Sequence, residues 1–230
     1  MHEATITAAP ELIGAANMTA SSGGLQRLDD IASRALDVTL AVIALIVLAP
    51  LMLIIAAVIY VLDPGPVIFA HQRIGRGGRS FPCLKFRSMV TDADARLRQL
   101  LESSAEAREE WERDHKLRDD PRVIGIGRFL RKTSLDELPQ LWNVVRGDMS
   151  LVGPRPIVVG EISRYGRYFE HYCAVRPGIT GLWQVGGRND VSYRRRVAYD
   201  VTYSRLRSCA MNVKIIAYTV PSVLFQRGSY

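Results

Sequence analysis

The sequence predicts an α+β, mostly helical protein attached to a membrane, and three observations carry that expectation. A charge-free apolar run extends from Val38 to Leu62, about 25 residues, enough to reach across a hydrocarbon core. Val67-Ile68-Phe69 and the stretch from Phe81 to Arg87 flank a glycine turn at Gly75 to Gly78, the pattern of a small β-hairpin. Most of what remains has helical spacing, including basic, aromatic segments suited to interfacial amphipathic helices.

In chain order, residues 1–26 carry Ala, Ser, Thr and Gly23-Gly24 without apolar periodicity and read as a mobile tail. The membrane helix is expected over 27–63, and a cytosolic domain docked on the membrane over 64–230. The apolar run starts too late, runs too long and lacks the small-residue cleavage site of a signal peptide. Pro50 stands near its middle and cannot donate its backbone hydrogen bond, which predicts a bend. Both flanks are basic, with Arg27 and Arg34 before the run and Arg73, Arg76, Arg79, Lys85 and Arg87 after it. That symmetry favours both ends on the cytoplasmic side, although a kinked span also fits the pattern.

Beyond the turn Asp63-Pro64-Gly65-Pro66, Thr91 to Leu117 is densely charged, with Leu97, Leu100 and Leu101 on one narrow face. One or two solvated helices are expected there. Pro139 to Val145 predicts a short apolar helix closed by Gly147. Arg164 to Tyr172 and Tyr193 to Leu206 predict basic, aromatic helices, the first lying in a headgroup layer. Val213 to Phe225, interrupted by Pro221, is too short to span and predicts an interfacial helix.

The formal net charge of +7 points to anionic partners: phosphorylated ligands, an acidic lipid surface or nucleic acid. No nucleic-acid reader motif is present, so no nucleic-acid partner is expected. Cys83, Cys173 and Cys209 are scattered and build neither a disulfide framework nor a zinc site. The four histidines lack metal-ligand spacing, and the chain has no GxxxxGK[ST] loop and no GxSxG.

Four segments carry the candidate chemistry. In Ser134-Leu135-Asp136-Glu137-Leu138-Pro139-Gln140, Ser134 and Glu137 fit a capping box. Pro139 as first helical residue would instead leave Asp136 and Glu137 just before a helix start, where phosphate oxygens are attracted. Arg131 and Lys132 are at hand to offset their charge. In Gly153-Pro154-Arg155-Pro156 two prolines fix the backbone around a guanidinium suited to phosphate. Lys85 and Arg87 share one face of a strand, either solvated or turned to a shared ligand. The stretch from Arg176 to Arg188 is glycine-rich, with Gln184 and Arg188 as polar contacts of a ligand loop and Trp183 also readable as core.

These segments, with Lys85-Phe86-Arg87-Ser88-Met89 and Ser150 to Pro156, resemble in their order the monotopic phosphoglycosyl transferases, the bacterial sugar transferase family. The likeness runs from Arg27 to the C-terminus. It implies a proline-broken re-entrant helix, whose bend falls on Pro50, although many relatives carry Ser where Ala49 stands. It implies an acidic dyad at Asp136 and Glu137, which would also bind Mg2+, and substrate contacts from Lys85, Arg87, Arg131, Arg155, Gln184 and Arg188. The implied activity moves a hexose 1-phosphate, galactose or glucose, from a UDP-sugar to undecaprenyl phosphate, the first step of exopolysaccharide repeat-unit assembly. Asp136 would carry a covalent phosphosugar between two ping-pong half-reactions. The implied place is the bacterial inner membrane, catalytic domain on the cytoplasmic face and in contact with its lipids; a homo-oligomer is compatible. A noncatalytic membrane scaffold, its dyad merely capping a helix, is the other reading.

Overall fold

The computed structural model describes residues 23–114, 117, 120–186 and 191–224. The expected tail therefore lies outside the described residues as far as position 22. From Gly23 the chain is already helical: α1 is a single element, Gly23–Leu62, with Pro50 inside it. Many of its apolar side chains face outward rather than into a core. Leu53 is 71 % exposed, Ile46 70 % and Val47 68 %. A soluble core helix would bury these residues, so α1 is a surface that water does not favour and a bilayer does. The stretch Gln26–Leu62 is long and apolar enough to cross a membrane.

The described chain forms two compact units. One gathers the residues up to Leu48, Ala70–Leu84 and those from Pro139 onward; the other is Ala49–Phe69 with Lys85–Leu138. The expected hairpin is β1 (Ile68–Ile74) and β2 (Ser80–Phe86), paired as a two-stranded sheet around a tight turn at Arg76–Gly78.

In the smaller unit, Ile55 and Ile59 of α1 bury against Phe86, Ile124 and Leu130. The charged segment after the hairpin forms two helices, α2 (Ala93–Ser103) and α3 (Ala105–Asp114), and α2 has no buried residue, as a solvated helix should. Next, α4 (Gly127–Thr133) lies so close to the chain after β2 that a Cβ on Gly127 would strike the Ser88 carbonyl. Only glycine permits that approach, and it brings Arg131 Nε within 2.9 Å of Ser88 Oγ.

The larger unit is organised on α5 (Gln140–Arg146) and two parallel strands, β3 (Ser150–Val152) and β4 (Gly178–Thr180), with Ser150 opposite Gly178. Arg34 of α1 donates to the carbonyls of Val144 and Val145 at 2.8 and 3.1 Å, satisfying acceptors that a helix end leaves open. Asp37 accepts from Ser150 Oγ at 2.7 Å and the Leu151 amide at 3.0 Å. Asn143, fully buried, accepts from the Leu84 amide and donates to the Pro82 carbonyl, fastening β2 to α5. Over the parallel strands Val152, Val175 and Leu182 pack with Tyr203, Met211 and Ile215. Leu182 begins α8 (Leu182–Gly186), Tyr203 belongs to α9 (Tyr193–Leu206), and Met211 and Ile215 to α10 (Cys209–Leu224).

Two expectations need correction. Arg164 to Tyr172 is not one interfacial helix but α6 (Ile162–Tyr165), a turn at Gly166–Tyr168 and α7 (Phe169–Cys173). Gly166 breaks it at φ 50°, ψ −130°, and Tyr165 and Tyr172 are core residues packed with Ile74, Ile157 and Val197. The C-terminal apolar segment starts earlier than expected, at Cys209, and continues as helix past Pro221. Its Met211 and Ile215 close the core, so one side of α10 is bound to protein rather than offered to lipid.

Candidate active site around Asp136

The dyad sits on an abrupt change of direction. Helix α4 ends at Thr133, and Ser134 takes the left-handed conformation at φ 58°, the only non-glycine among the described residues to do so. For a serine that costs on the order of 1 kcal/mol and must be held in place by its surroundings. A single 3-10 turn, Leu135–Glu137, follows, and Pro139 stands at the cap of α5. The capping box does not form. Ser134 makes no side-chain cap; the Glu137 amide bonds the Ser134 backbone carbonyl instead, at 3.1 Å. The Glu137 carboxylate is therefore free for another task.

That task is an ion pair. Lys85 Nζ donates to Glu137 Oε1 at 2.6 Å and lies 3.8 Å from Asp136 Oδ2. The strand turns Lys85 inward, and the turn after α4 brings two successive carboxylates to one ammonium. Glu137 stays half in solvent while Asp136 is buried, 8 % exposed. Burial raises the Asp136 pKa above the usual aspartate value, the Lys85 ammonium opposes the rise, Glu137 adds to it, and Arg131 opposes it. At 3.8 Å the Lys85 contact is electrostatic rather than a hydrogen bond, and a backbone amide contact at Asp136 itself opposes the rise only weakly, so burial prevails.

The structure thus brings Lys85, Asp136 and Glu137 together, with Arg131 close enough to act on Asp136 through its charge. Arg87 goes elsewhere. It is buried, its Nη1 2.8 Å from Asp63 Oδ2, and its other amino group bonds the Asp63 carbonyl. Arg155 is exposed between two buried prolines, as the Pro-Arg-Pro spacing predicts for a guanidinium held on a fixed backbone. Gln184 donates to the Ile179 carbonyl at 3.1 Å, and among the described residues its own carbonyl oxygen has no partner. Trp183 is core, with the Arg196 guanidinium 4.5 Å from its ring. Arg188 lies outside the described residues.

Reading the sequence alone missed Arg73. Its Nη1 donates to the Pro156 carbonyl at 3.2 Å, and burial and the charge of Arg155 lower its pKa. It braces the loop that presents Arg155, and only the folded strand discloses this, because 83 positions separate donor and acceptor. Asp136 and Glu137 offer two hard oxygen donors. Among the described residues no third His, Cys, Asp or Glu joins them as a metal group. Such a pair suits a cation like Mg2+, which keeps several waters and takes phosphate oxygens from a substrate.

Comparison with known proteins identifies the family. The family described as bacterial sugar transferase matches residues 28–226. The exopolysaccharide production protein ExoY of Sinorhizobium fredii is 46% identical over 209 residues, 91% of this chain and 92% of that protein. The undecaprenyl-phosphate galactose phosphotransferase of Salmonella typhimurium is 49% identical over 197 residues, 86% of this chain but 41% of that longer protein. The UDP-glucose:undecaprenyl-phosphate glucose-1-phosphate transferase of Caulobacter vibrioides is 40% identical over 209 residues, 87% of this chain and 73% of its own. A buried aspartate facing a lysine, an apolar surface helix and a match over nearly the whole described chain agree: this protein is a transferase belonging to the bacterial sugar transferase family.

Proposed function

We propose that this chain transfers a hexose 1-phosphate, galactose or glucose, from a UDP-sugar to undecaprenyl phosphate, starting an exopolysaccharide repeat unit. The observation that carries the reading is Asp136, buried beside Glu137 and set 3.8 Å from the Lys85 ammonium. A carboxylate attacks a diphosphate only where cations offset the repulsion between anions, and Lys85 and Arg131 supply that offset. An Asp136 oxygen bonds the sugar-linked phosphorus while the bond from that phosphorus to the bridging oxygen breaks, and UMP leaves with the electron pair. A phosphate oxygen of the lipid then bonds the same phosphorus, the bond to Asp136 breaks, and the carboxylate returns. The lipid phosphate arrives ionised, so no general base is needed.

Asp136 and Glu137 would hold Mg2+, which when bound neutralises phosphate oxygens. Lys85 holds Glu137 in the free protein and would also meet phosphate oxygens of a bound donor. The exposed apolar length of α1 supports a site at the membrane face, where a lipid phosphate at headgroup depth meets a soluble donor. With both flanks of the apolar run basic, Pro50 is the place for α1 to turn back within the inner membrane and leave the site on the cytoplasmic side.

The test is a half-reaction. Purified protein with Mg2+ and a UDP-sugar labelled in the sugar, but no lipid, should release UMP and become labelled at Asp136. Chelating the metal should stop release, and adding Mg2+ back should restore it. Lipid-linked product formed with no labelled protein at any time sinks the covalent scheme.

A further inference from the structure

Far along the chain from the dyad, the larger unit contains a cleft of about 940 Å³ that the proposed chemistry does not use. Its construction follows from two local facts. Gly166, at φ 50° and ψ −130°, bends the chain sharply, a conformation closed to residues with a Cβ, and sets Arg164 and Arg167 along the same cleft. Opposite them α9 contributes Arg194, Val197, Ala198, Val201, Thr202 and Arg205. These positions recur at helical spacing, so arginines stand at both ends of one stripe, three turns or about 16 Å apart, with an apolar floor between.

The walls are fixed before any ligand arrives. Tyr165 is buried edge-on to Tyr193, ring centroids 6.0 Å apart, and its hydroxyl donates to the buried Asp200 carboxylate at 2.7 Å. Arg164 lies 5.0 Å from the Tyr193 ring, and Arg167 lies over Tyr168 and donates to its hydroxyl at 2.9 Å. Arg205 bonds His171. The cleft lining contains four arginines and no carboxylate, and among the described residues none of the four is paired with an acid. Four exposed arginines around an apolar floor, with no acid in the lining, give the cleft a positive rim that attracts an anion.

We propose that this cleft binds the phosphate of an anionic lipid, its headgroup held by Arg164, Arg167, Arg194 and Arg205 and its apolar part lying on Val197, Ala198 and Val201. The apolar floor separates this occupant from a free phosphate, which would use the arginines alone. The assignment does not depend on the transfer reaction. It can therefore be measured without a sugar donor.

Full-length protein in detergent is titrated with short-chain phosphatidylglycerol, with short-chain phosphatidylcholine and with inorganic pyrophosphate. Phosphatidylglycerol should bind at least about tenfold more tightly than phosphatidylcholine. The fourfold variant Arg164→Gln, Arg167→Gln, Arg194→Gln, Arg205→Gln should lose that preference, and all four side chains are exposed, so a melting curve should remain as in the wild type. Val201→Ser should weaken phosphatidylglycerol and leave pyrophosphate binding unchanged. Equal binding of the two lipids overturns the proposal, and so does a preference that survives in the folded fourfold variant. Pyrophosphate bound as tightly as phosphatidylglycerol, with Val201→Ser affecting neither, assigns the cleft to free phosphate and overturns it as well.

Discussion

Of the buried aspartates, Asp200 and Asp136 sit in different settings, and the contrast separates reactivity from structure. Asp200, on α9 in the larger unit, is 3 % exposed and accepts from the Tyr165 hydroxyl at 2.7 Å. Burial pushes its pKa up to about 7, with the Tyr165 bond and the charge of Arg196 opposing the rise. Asp136, on the turn after α4 in the smaller unit, is also buried and also raised, yet it has a cation at 3.8 Å and a second carboxylate beside it. One carboxylate is satisfied by a neutral donor and has no reason to react. The other is kept near a cation and beside a second carboxylate. Burial alone does not mark a functional acid; what lies within ion-pair reach does.

The largest expected effect tests that distinction directly. Asp136→Asn should lower UMP release from a UDP-sugar by at least about a thousandfold, as removing a nucleophile does, whereas Asp200→Asn should leave turnover close to wild type. Equal losses in the two variants would break the comparison.

Next in size is Lys85→Gln, expected to cost about a hundredfold in turnover, the scale of losing one charge-stabilising donor. Because Lys85 opposes the rise in the Asp136 pKa, its removal lets that pKa climb further. The acid limb of the pH–rate profile should move to higher pH, with the loss greatest at the acidic end. A uniform loss across pH would assign Lys85 to substrate contact alone.

The smallest effect concerns stability. Tyr165→Phe leaves the buried Asp200 carboxyl without its donor and should cost about 1–3 kcal/mol in thermal or denaturant unfolding. The sign of the pH dependence follows from linkage. A carboxyl raised on folding to about 7 favours the folded state while protonated in it, fully so below the ordinary aspartate range, and this contribution is lost as pH rises through 7. The melting temperature should therefore fall between about pH 5 and pH 8, and Asp200→Asn should flatten that slope.

Much of this was legible in the chain because it is local. The apolar length of α1, the hairpin around its glycine turn, the solvated helices α2 and α3, and α5 stopping at Gly147 all follow from periodicity and turn chemistry, which neighbours in sequence decide. The segment from Arg164 to Tyr172 failed that reading. Its aromatic spacing is helical, but tertiary packing claims Tyr165 and Tyr172 for the core, and Gly166 lets the chain break between them. Arg87 also escaped: as a strand neighbour of Lys85 it matched a shared ligand, and only the folded turn at Asp63 discloses its partner.

The sequence by itself determined that this chain has a membrane-length apolar helix, an excess of positive charge and adjacent carboxylates at 136 and 137, because composition and spacing are properties of neighbouring residues. Only the tertiary structure decided that Glu137 pairs with Lys85 rather than capping a helix, that Asp136 is buried, that Arg73 braces the Arg155 loop and that four arginines ring one cleft. Electrostatic energy depends on distance and burial, and residues 52 positions apart acquire both only when the chain folds.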